Sequence, residues 1–534
     1  MSQSAKKQSF LHGAALLAGA TAIVKIIGAL YKLPLKMVIG DQGYSYFCTA
    51  YDIYSVLLLI STAGLPVAMS RMISRESSLG HYRQVRRVYS TARLLFLGLG
   101  AVSSLLMILF CNQLAAFQQQ PNATAAILAL GPCAFLMGLM STYRGFFQGQ
   151  GNMIPTSVSQ VLEAVFKLVV GLVAAFAFLK LTNSISLAAA GAILGVTVSC
   201  VISSIYLFSC FRKAYRELPE SQEAVNSYGS TAKQLLAIAV PITIGAAGLQ
   251  MLTVLETNLY MGQLLTANGL SQDRADTMKG IYNMAQTIYN MPNAFIAPIT
   301  ISVIPAVTSH LTLLNNRGVR STEESAARVT ALLSLPCAVG LILLSEPIMA
   351  LLGGYSGEKL VLASRLMSLL GISVFLHAIV LFTNSLMQAH GHANIPVVNM
   401  LCSGAVKLVV VYILTGNPAI GILGVPMGTA LCNLCIAILN LVAIRKCIPQ
   451  KPALVRNLLR PLLPAVIMGA VAYGSWQGLI YLLGADTSRV ILCGAPIAAG
   501  AAVYFVCVVL FKSITREDCL LLPKGEKIAK LLHL

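Results

Sequence analysis

The chain has 534 residues, of which 57% are hydrophobic and only 10% charged. A soluble protein carries about a quarter charged residues to keep its surface hydrated, so a soluble enzyme, a nucleic-acid binder and a disulfide-stapled secreted domain are all excluded as readings of the whole chain. Basic residues outnumber acidic ones 37 to 18, and the resulting formal charge of +19 gathers between long apolar runs, as it does in the cytoplasmic loops of inserted proteins.

A hydrocarbon core about 30 Å thick takes roughly 20 residues of helix, and inside it every backbone polar group must be paired. Fourteen runs meet that demand, at 9–35, 44–69, 92–117, 123–147, 155–180, 185–211, 234–260, 281–306, 327–352, 361–388, 394–415, 419–444, 459–483 and 489–511. The first is not a cleavable signal peptide, because Lys25 and Lys32 interrupt it and no small-residue cleavage site follows. Asp52 interrupts the second. With the N-terminus inside, 26 basic residues fall in cytoplasmic segments, 7 on the opposite side, Lys279 among them, and 4 within helices. Both termini are therefore expected in the cytoplasm.

The chain also repeats itself. At an offset of 240, Gln148 falls on Gln388, Gly151 on Gly391 and Lys167 on Lys407, and each lysine is followed by Leu-Val-Val. At an offset of 239, Leu65-Pro66 falls on Ile304-Pro305. Duplication predicts an all-α polytopic fold with two six-helix lobes, residues 1–233 and 234–450, while 451–534 add two helices and a cytoplasmic tail. An even number of spans keeps the lobes parallel, facing one another across a central cavity, which is the architecture of a transporter that alternates its access.

Charges at bilayer depth cost at least about 2.5 to 3.5 kcal/mol each, so each demands a partner, a wet cavity or a function. Lys25 and Lys32 lie two turns apart on one face of the first span, with Asp52 the nearest candidate counter-ion in the lobe. Lys32, near a helix end, can equally snorkel to the interface. In the fifth span Gln160, Glu163 and Lys167 stand at i, i+3 and i+7, and Glu163 precedes Lys167 by four residues, the order that favours an intrahelical ion pair. This is either a self-neutralised structural pair or a site. Its repeat mate carries Asn399, Ser403 and Lys407 with no acid four residues before the lysine, which makes Lys407 the better candidate for contact with an anion. Glu256 is the remaining deep acid, suited to pair with a lysine or to carry a coupling proton or sodium ion. Arg144 opens the stretch RGFFQGQG, where a guanidinium either forks onto a phosphate or anchors the positive-inside face.

The remaining polar features are plainer. Cys432 and Cys435 form a C-x-x-C without a second pair and read as helix packing; His390 and His392 have no carboxylate or cysteine close by in the chain and read as loop residues. No metal or cofactor site is expected. There is no P-loop, no H-E-x-x-H and no extramembrane domain, so the chain reads as a non-enzyme driven by an ion gradient, the membrane potential or the substrate gradient.

The segments GLPVAMSRMISRE, STYRGFFQGQGNMIPTSVSQVLEAVFKL, YNMPNAFIAPITISVIPAV, LLSEPIMALLGG and the tail LLPKGEKIAKLL resemble the polysaccharide transport branch of the multidrug/oligosaccharidyl-lipid/polysaccharide exporter (MOP, MATE-like) superfamily. Within it, the chain resembles the subgroup of stage V sporulation protein B, related to the lipid II flippases of the MurJ (MviN) type. The resemblance implies a two-lobed fold of fourteen helices in a bacterial-type cytoplasmic membrane. It also implies outward flipping of undecaprenyl-diphosphate-linked saccharides, with cavity cations on the diphosphate. The implied partners are a lipid-linked saccharide and membrane lipids, with no nucleic acid, and a monomer is the default. Lys25, in V-K-I-I-G, matches the first-helix arginine of the flippases' S-R-V-L-G pattern in charge though not in bidentate geometry. Those flippases also carry an arginine in the eighth helix, and residues 281–306 hold none, which leaves the cargo open. The alternative is a cation-coupled multidrug antiporter of the same superfamily. It calls for a net acidic cavity, whereas Lys25, Lys32, Lys167 and Lys407 here face Asp52, Glu163 and Glu256.

Overall fold

A segment that crosses lipid alone satisfies its own backbone only as a helix. The computed structural model describes residues 3–449, 452–484, 487–515 and 518, with side chains from residue 19 onward except 22, 25, 26, 29, 249 and 301. Among the described residues there is no strand, and the helices in chain order are α1 (Gln3–Thr62), α2 (Leu65–Ser78), α3 (Tyr82–Leu109), α4 (Cys111–Phe117), α5 (Thr124–Gly149), α6 (Ile154–Thr182), α7 (Ile185–Arg216), α8 (Tyr228–Thr266), α9 (Gln272–Thr312), α10 (Asn316–Leu343), α11 (Ser345–Leu352), α12 (Gly357–Ala389), α13 (Asn394–Gly416), α14 (Gly424–Cys447), α15 (Leu454–Leu459), α16 (Leu462–Leu483) and α17 (Arg489–Leu510). The tail segment LLPKGEKIAKLL lies outside the described residues.

Among the described residues, thirteen stretches are long and apolar enough to cross a membrane. The first two expected spans share α1, which Gly40 breaks at φ 70 and ψ −176. Lys36 and Asp41 pair across that break at 3.3 Å. Other differences from expectation lie at helix ends and in divided runs. α3 starts at Tyr82 instead of 92 and α9 at Gln272 instead of 281, because hydropathy marks only the lipid-immersed part of a helix whose backbone bonding runs on into polar residues. The single expected runs 92–117 and 327–352 each divide into a long and a short helix, at Phe110 and Leu344.

The chain groups into two compact units. The first comprises residues up to Gly262 together with Leu270–Gly280; the second comprises Gln263–Gly269 and everything from Ile281 onward. In the first, α7 packs on both α5 and α6, α5 on α2 and α3, and α1 on α5 and α6. In the second, α12 lies between α10 and α14, α13 packs on α14, and α16 packs on α10 and α17. Large apolar residues such as Leu105, Val173, Ile205 and Val409 stay exposed, as lipid-facing residues do.

The duplication is written into the backbone. α5 ends at Gly149 and α6 begins at Ile154, while α12 ends at Ala389 and α13 begins at Asn394, so the offset of 240 holds at both ends of the turn. Gly151 and Gly391 sit at φ 78 and 81, with the Gly151 N–H on the Gln148 carbonyl at 3.0 Å and the Gly391 N–H on the Gln388 carbonyl at 3.0 Å. α3 and α10 are both 28 residues long, and each is followed after one residue by a short helix.

Candidate functional site

The most deeply buried charges of the first unit stand where α9 begins. Gly280 lets α9 approach α1 so closely that a Cβ there would collide with the Asp41 carbonyl. That approach buries Lys279 and Asp276 completely. Lys279 Nζ donates to Thr49 Oγ1 at 2.5 Å and to Gln120 Oε1 at 2.9 Å. Gln120 Nε2 donates to Ser45 Oγ and to Asp276 Oδ1, both at 2.6 Å, and Gln120 Oε1 also accepts from the Thr49 hydroxyl. Tyr46 at 3.1 Å and Gln272 at 3.0 Å donate to the same carboxylate. Both charges therefore have the hydrogen-bond partners that burial requires, and Gln120 links them.

One turn after Thr49, half-buried Asp52 lies within electrostatic reach of Lys279, Lys32 and the buried Glu256 of α8. Lys32 in turn acts on Lys167 of α6. The Tyr31 hydroxyl donates to the Ala192 carbonyl at 3.2 Å, which fixes the ring, and Lys167 Nζ stands 6.0 Å from its centroid, at the outer reach of a cation–π contact. Glu163 is held by Arg144, whose Nη2 donates to Glu163 Oε2 at 3.0 Å while its Nε donates to Ser159 Oγ at 3.0 Å. The glutamate that the helical spacing offers to Lys167 is thus turned to α5 instead. Among the described residues, neither Lys32 nor Lys167 has a carboxylate at salt-bridge distance. Gln160 lies one turn before Glu163, and its Oε1 is buried without a hydrogen-bond partner among the described residues. The side chain of Lys25 lies outside the described residues.

The second unit carries the repeat mates in a different setting. The Asn399 amide donates to Asn440 Oδ1 at 2.9 Å, and Asn440 donates onward to Thr383 at 2.9 Å and Asn384 at 2.8 Å, which ties α12, α13 and α14 together. Lys407 is half-buried on α13 and is not without a partner. His390 is more than a loop residue. Its Nε2 lies 2.7 Å from Oε1 of the fully buried Glu323, a carboxylate 67 residues away in the chain. One turn further along α10, Arg328 is forked onto Asp518 at 2.9 to 3.1 Å and donates to Asn457 at 2.9 Å.

Lys279 and Asp276 are the residues that sequence reasoning missed. Their stretch, QDRADTMKG, has too low a hydropathy to register as a span, and Lys279 counts there as a loop cation. The available signal was the i, i+3 spacing of an acid and a base immediately before a glycine. A cation does therefore stand on this helix, just ahead of the 281–306 run.

The family model described as polysaccharide biosynthesis protein matches residues 10–310. Stage V sporulation protein B of Bacillus subtilis (strain 168) is 24% identical over 521 residues, covering 97% of this chain and 98% of that one. Lipid II flippase MurJ of the same organism is 24% identical over 417 residues, 75% of this chain and 76% of that one. Among solved structures, lipid II flippase MurJ in an inward closed conformation is similar with a TM-score of 0.66 at 15% identity, covering 93% of this chain and 98% of that one. At that identity the likeness shows the fold alone.

Proposed function

The chain belongs to the polysaccharide biosynthesis protein family, and from that premise we propose that it is a flippase carrying a polyprenyl-diphosphate-linked saccharide across the membrane by alternating access. The headgroup of such a lipid is a large polar anion that hydrocarbon rejects, and a wet cationic cavity lowers that barrier while the polyprenyl tail stays in the bilayer. In this reading two parallel lobes, residues 1–233 and 234–450, open the cavity to one side and then the other, and both termini lie in the cytoplasm.

The observation that carries the proposal is the division of labour among the first unit's cations. Arg144 is bound to Glu163, and Lys279 is enclosed by Thr49 and Gln120. Lys32 and Lys167 are half-buried and have no carboxylate at salt-bridge distance among the described residues, so they are the ones left to hold a diphosphate. Lys25 and Lys407, cations within apolar runs, are the further residues we assign to the headgroup's path. Asp52 and Glu256, close enough to act on one another, are the groups we assign to a coupling proton or sodium ion.

The test is headgroup translocation of a labelled undecaprenyl-diphosphate sugar in proteoliposomes, comparing wild type with Lys32→Ala and Lys167→Ala at matched protein levels. Removing one cation from a charge-assisted contact worth about 1.5 to 3 kcal/mol should slow translocation roughly tenfold or more. Wild-type transport no faster than in empty vesicles, across several saccharides, would favour a cation-coupled antiporter instead.

A further inference from the structure

One basic region takes no part in that reading. Between the end of α14 and the start of α16, residues 445–460 carry Arg445, Lys446, Lys451, Arg456 and Arg460 and no acid. A cavity of about 500 Å³ opens there, lined by Leu441, Ile444, Arg445, Leu454, Val455 and Arg456 among others. Its place in the bilayer follows from geometry. α14 has 24 residues, about 36 Å of helix, and the hydrocarbon core is about 30 Å thick, so its last turn, with Arg445, stands at headgroup depth.

The cavity wall is held from behind. Arg328 donates to Asn457 Oδ1 at 2.9 Å, and Glu324 Oε1 accepts the Ala453 N–H at 3.0 Å, so α15 keeps Leu454, Asn457 and Leu458 buried. Val455, Arg456 and Leu459 are left facing outward. Glu324 is thus occupied, since it also accepts from Arg320 at 2.9 Å. Arg445 and Arg456 are both exposed, and exposed apolar residues continue along the adjoining helices, Val442 and Ile438 one and two turns before Arg445 on α14 and Leu463 and Val466 on α16. Two guanidiniums at headgroup depth above lipid-facing aliphatic walls match one kind of molecule, with an anionic phosphate at one end and acyl chains at the other.

We infer that this cavity is a binding site for an anionic glycerophospholipid, its phosphate held by Arg445 and Arg456 and its chains lying along α14 and α16. The site shares no residue with those assigned to the transported headgroup, and its occupancy is read without any transport assay.

The test is native mass spectrometry of the full chain in detergent, titrated with phosphatidylglycerol and, in parallel, phosphatidylcholine. Phosphatidylglycerol should be retained preferentially. The double variant Arg445→Ala/Arg456→Ala should bind it about thirtyfold more weakly, and Arg445→Lys/Arg456→Lys, which keeps the charge but not the fork, should lie between. Matching elution profiles on size exclusion establish that the variants are folded. Equal retention of phosphatidylglycerol by wild type and the alanine variant, or equal binding of the two lipids by wild type, would overturn the assignment. So would displacement of the lipid by millimolar inorganic phosphate, which would mark a free-phosphate site, or by equimolar undecaprenyl phosphate, which would make the cavity a carrier-lipid site.

Discussion

The eighth residue of α3 and the eighth residue of α10 occupy corresponding places in two helices of equal length, yet they are joined to their surroundings by opposite chemistry. In the first unit that residue is Tyr89, stacked on Phe211 at 4.5 Å and edge-on to Phe146 at 5.6 Å, with Tyr215 completing the aromatic group. In the second it is Glu323, bonded at 2.7 Å to His390 in the turn between α12 and α13, with Arg328 and Asp518 further along the same helix. Aromatic faces tolerate small displacements because their energy comes from area and a broad quadrupole geometry. A buried charge pair does not, because losing its partner leaves a desolvated charge. A duplicated backbone therefore does not carry duplicated chemistry, and each unit must be read for itself.

The contrast breaks most visibly at Arg328. Arg328→Met leaves Asp518 buried and uncompensated, and thermal unfolding in detergent should show a loss of about 3 to 5 kcal/mol. The double variant Arg328→Met/Asp518→Leu should recover most of it. The thirteenth residue of α3, corresponding to Arg328, is Leu94, which is 73% exposed. Leu94→Ala should change stability by less than about 0.5 kcal/mol. Similar losses at the two positions would mean that the ionic group is not specific to the second unit.

At the eighth residues themselves, removing a single polar partner has a smaller effect. His390→Ala removes the partner of a fully buried carboxylate and should cost about 1 to 3 kcal/mol. Tyr89→Phe keeps every ring contact and should cost less than about 1 kcal/mol, whereas Tyr89→Ala, which removes the ring, should cost about 3 to 5 kcal/mol. If Tyr89→Phe proved as costly as His390→Ala, the hydroxyl would be carrying the first unit's cluster and the contrast between stacking and charge would fail.

These differences mark what the sequence made legible. The all-helical membrane character and the repeated segments were readable because lipid forces long apolar helices and because Gln148, Gly151 and Lys167 have counterparts 240 residues on. Helix ends were not, since hydropathy falls off before the backbone bonding does, and this is what concealed Lys279. Its burial depends on Gly280 meeting Asp41 across more than two hundred residues. Partner choice was equally hidden. Glu163 has Lys167 four residues ahead, but α5 brings Arg144 to it across the turn, and nothing local in the chain announces that Glu323 will meet His390. The candidate residues of the site were visible as charges in apolar runs, and their pairing needed the fold.

The part of the comparison where the units agree has its own test. Gly151 and Gly391 hold left-handed backbone in turns with the same hydrogen bonds, and a Cβ at either would meet nothing within 4 Å. The cost of Gly151→Ala and of Gly391→Ala is then purely conformational, about 1 to 2 kcal/mol each, with no collision to separate them. Thermal unfolding of the two single variants should therefore show matching losses, and the double variant should show their sum, because the residues lie in different units and share no partner. Unequal losses would mean that the chemistry around each turn reaches into its backbone. In that case the contrast between Phe146 beside the first turn and His390 within the second would extend to a feature the duplication has kept alike.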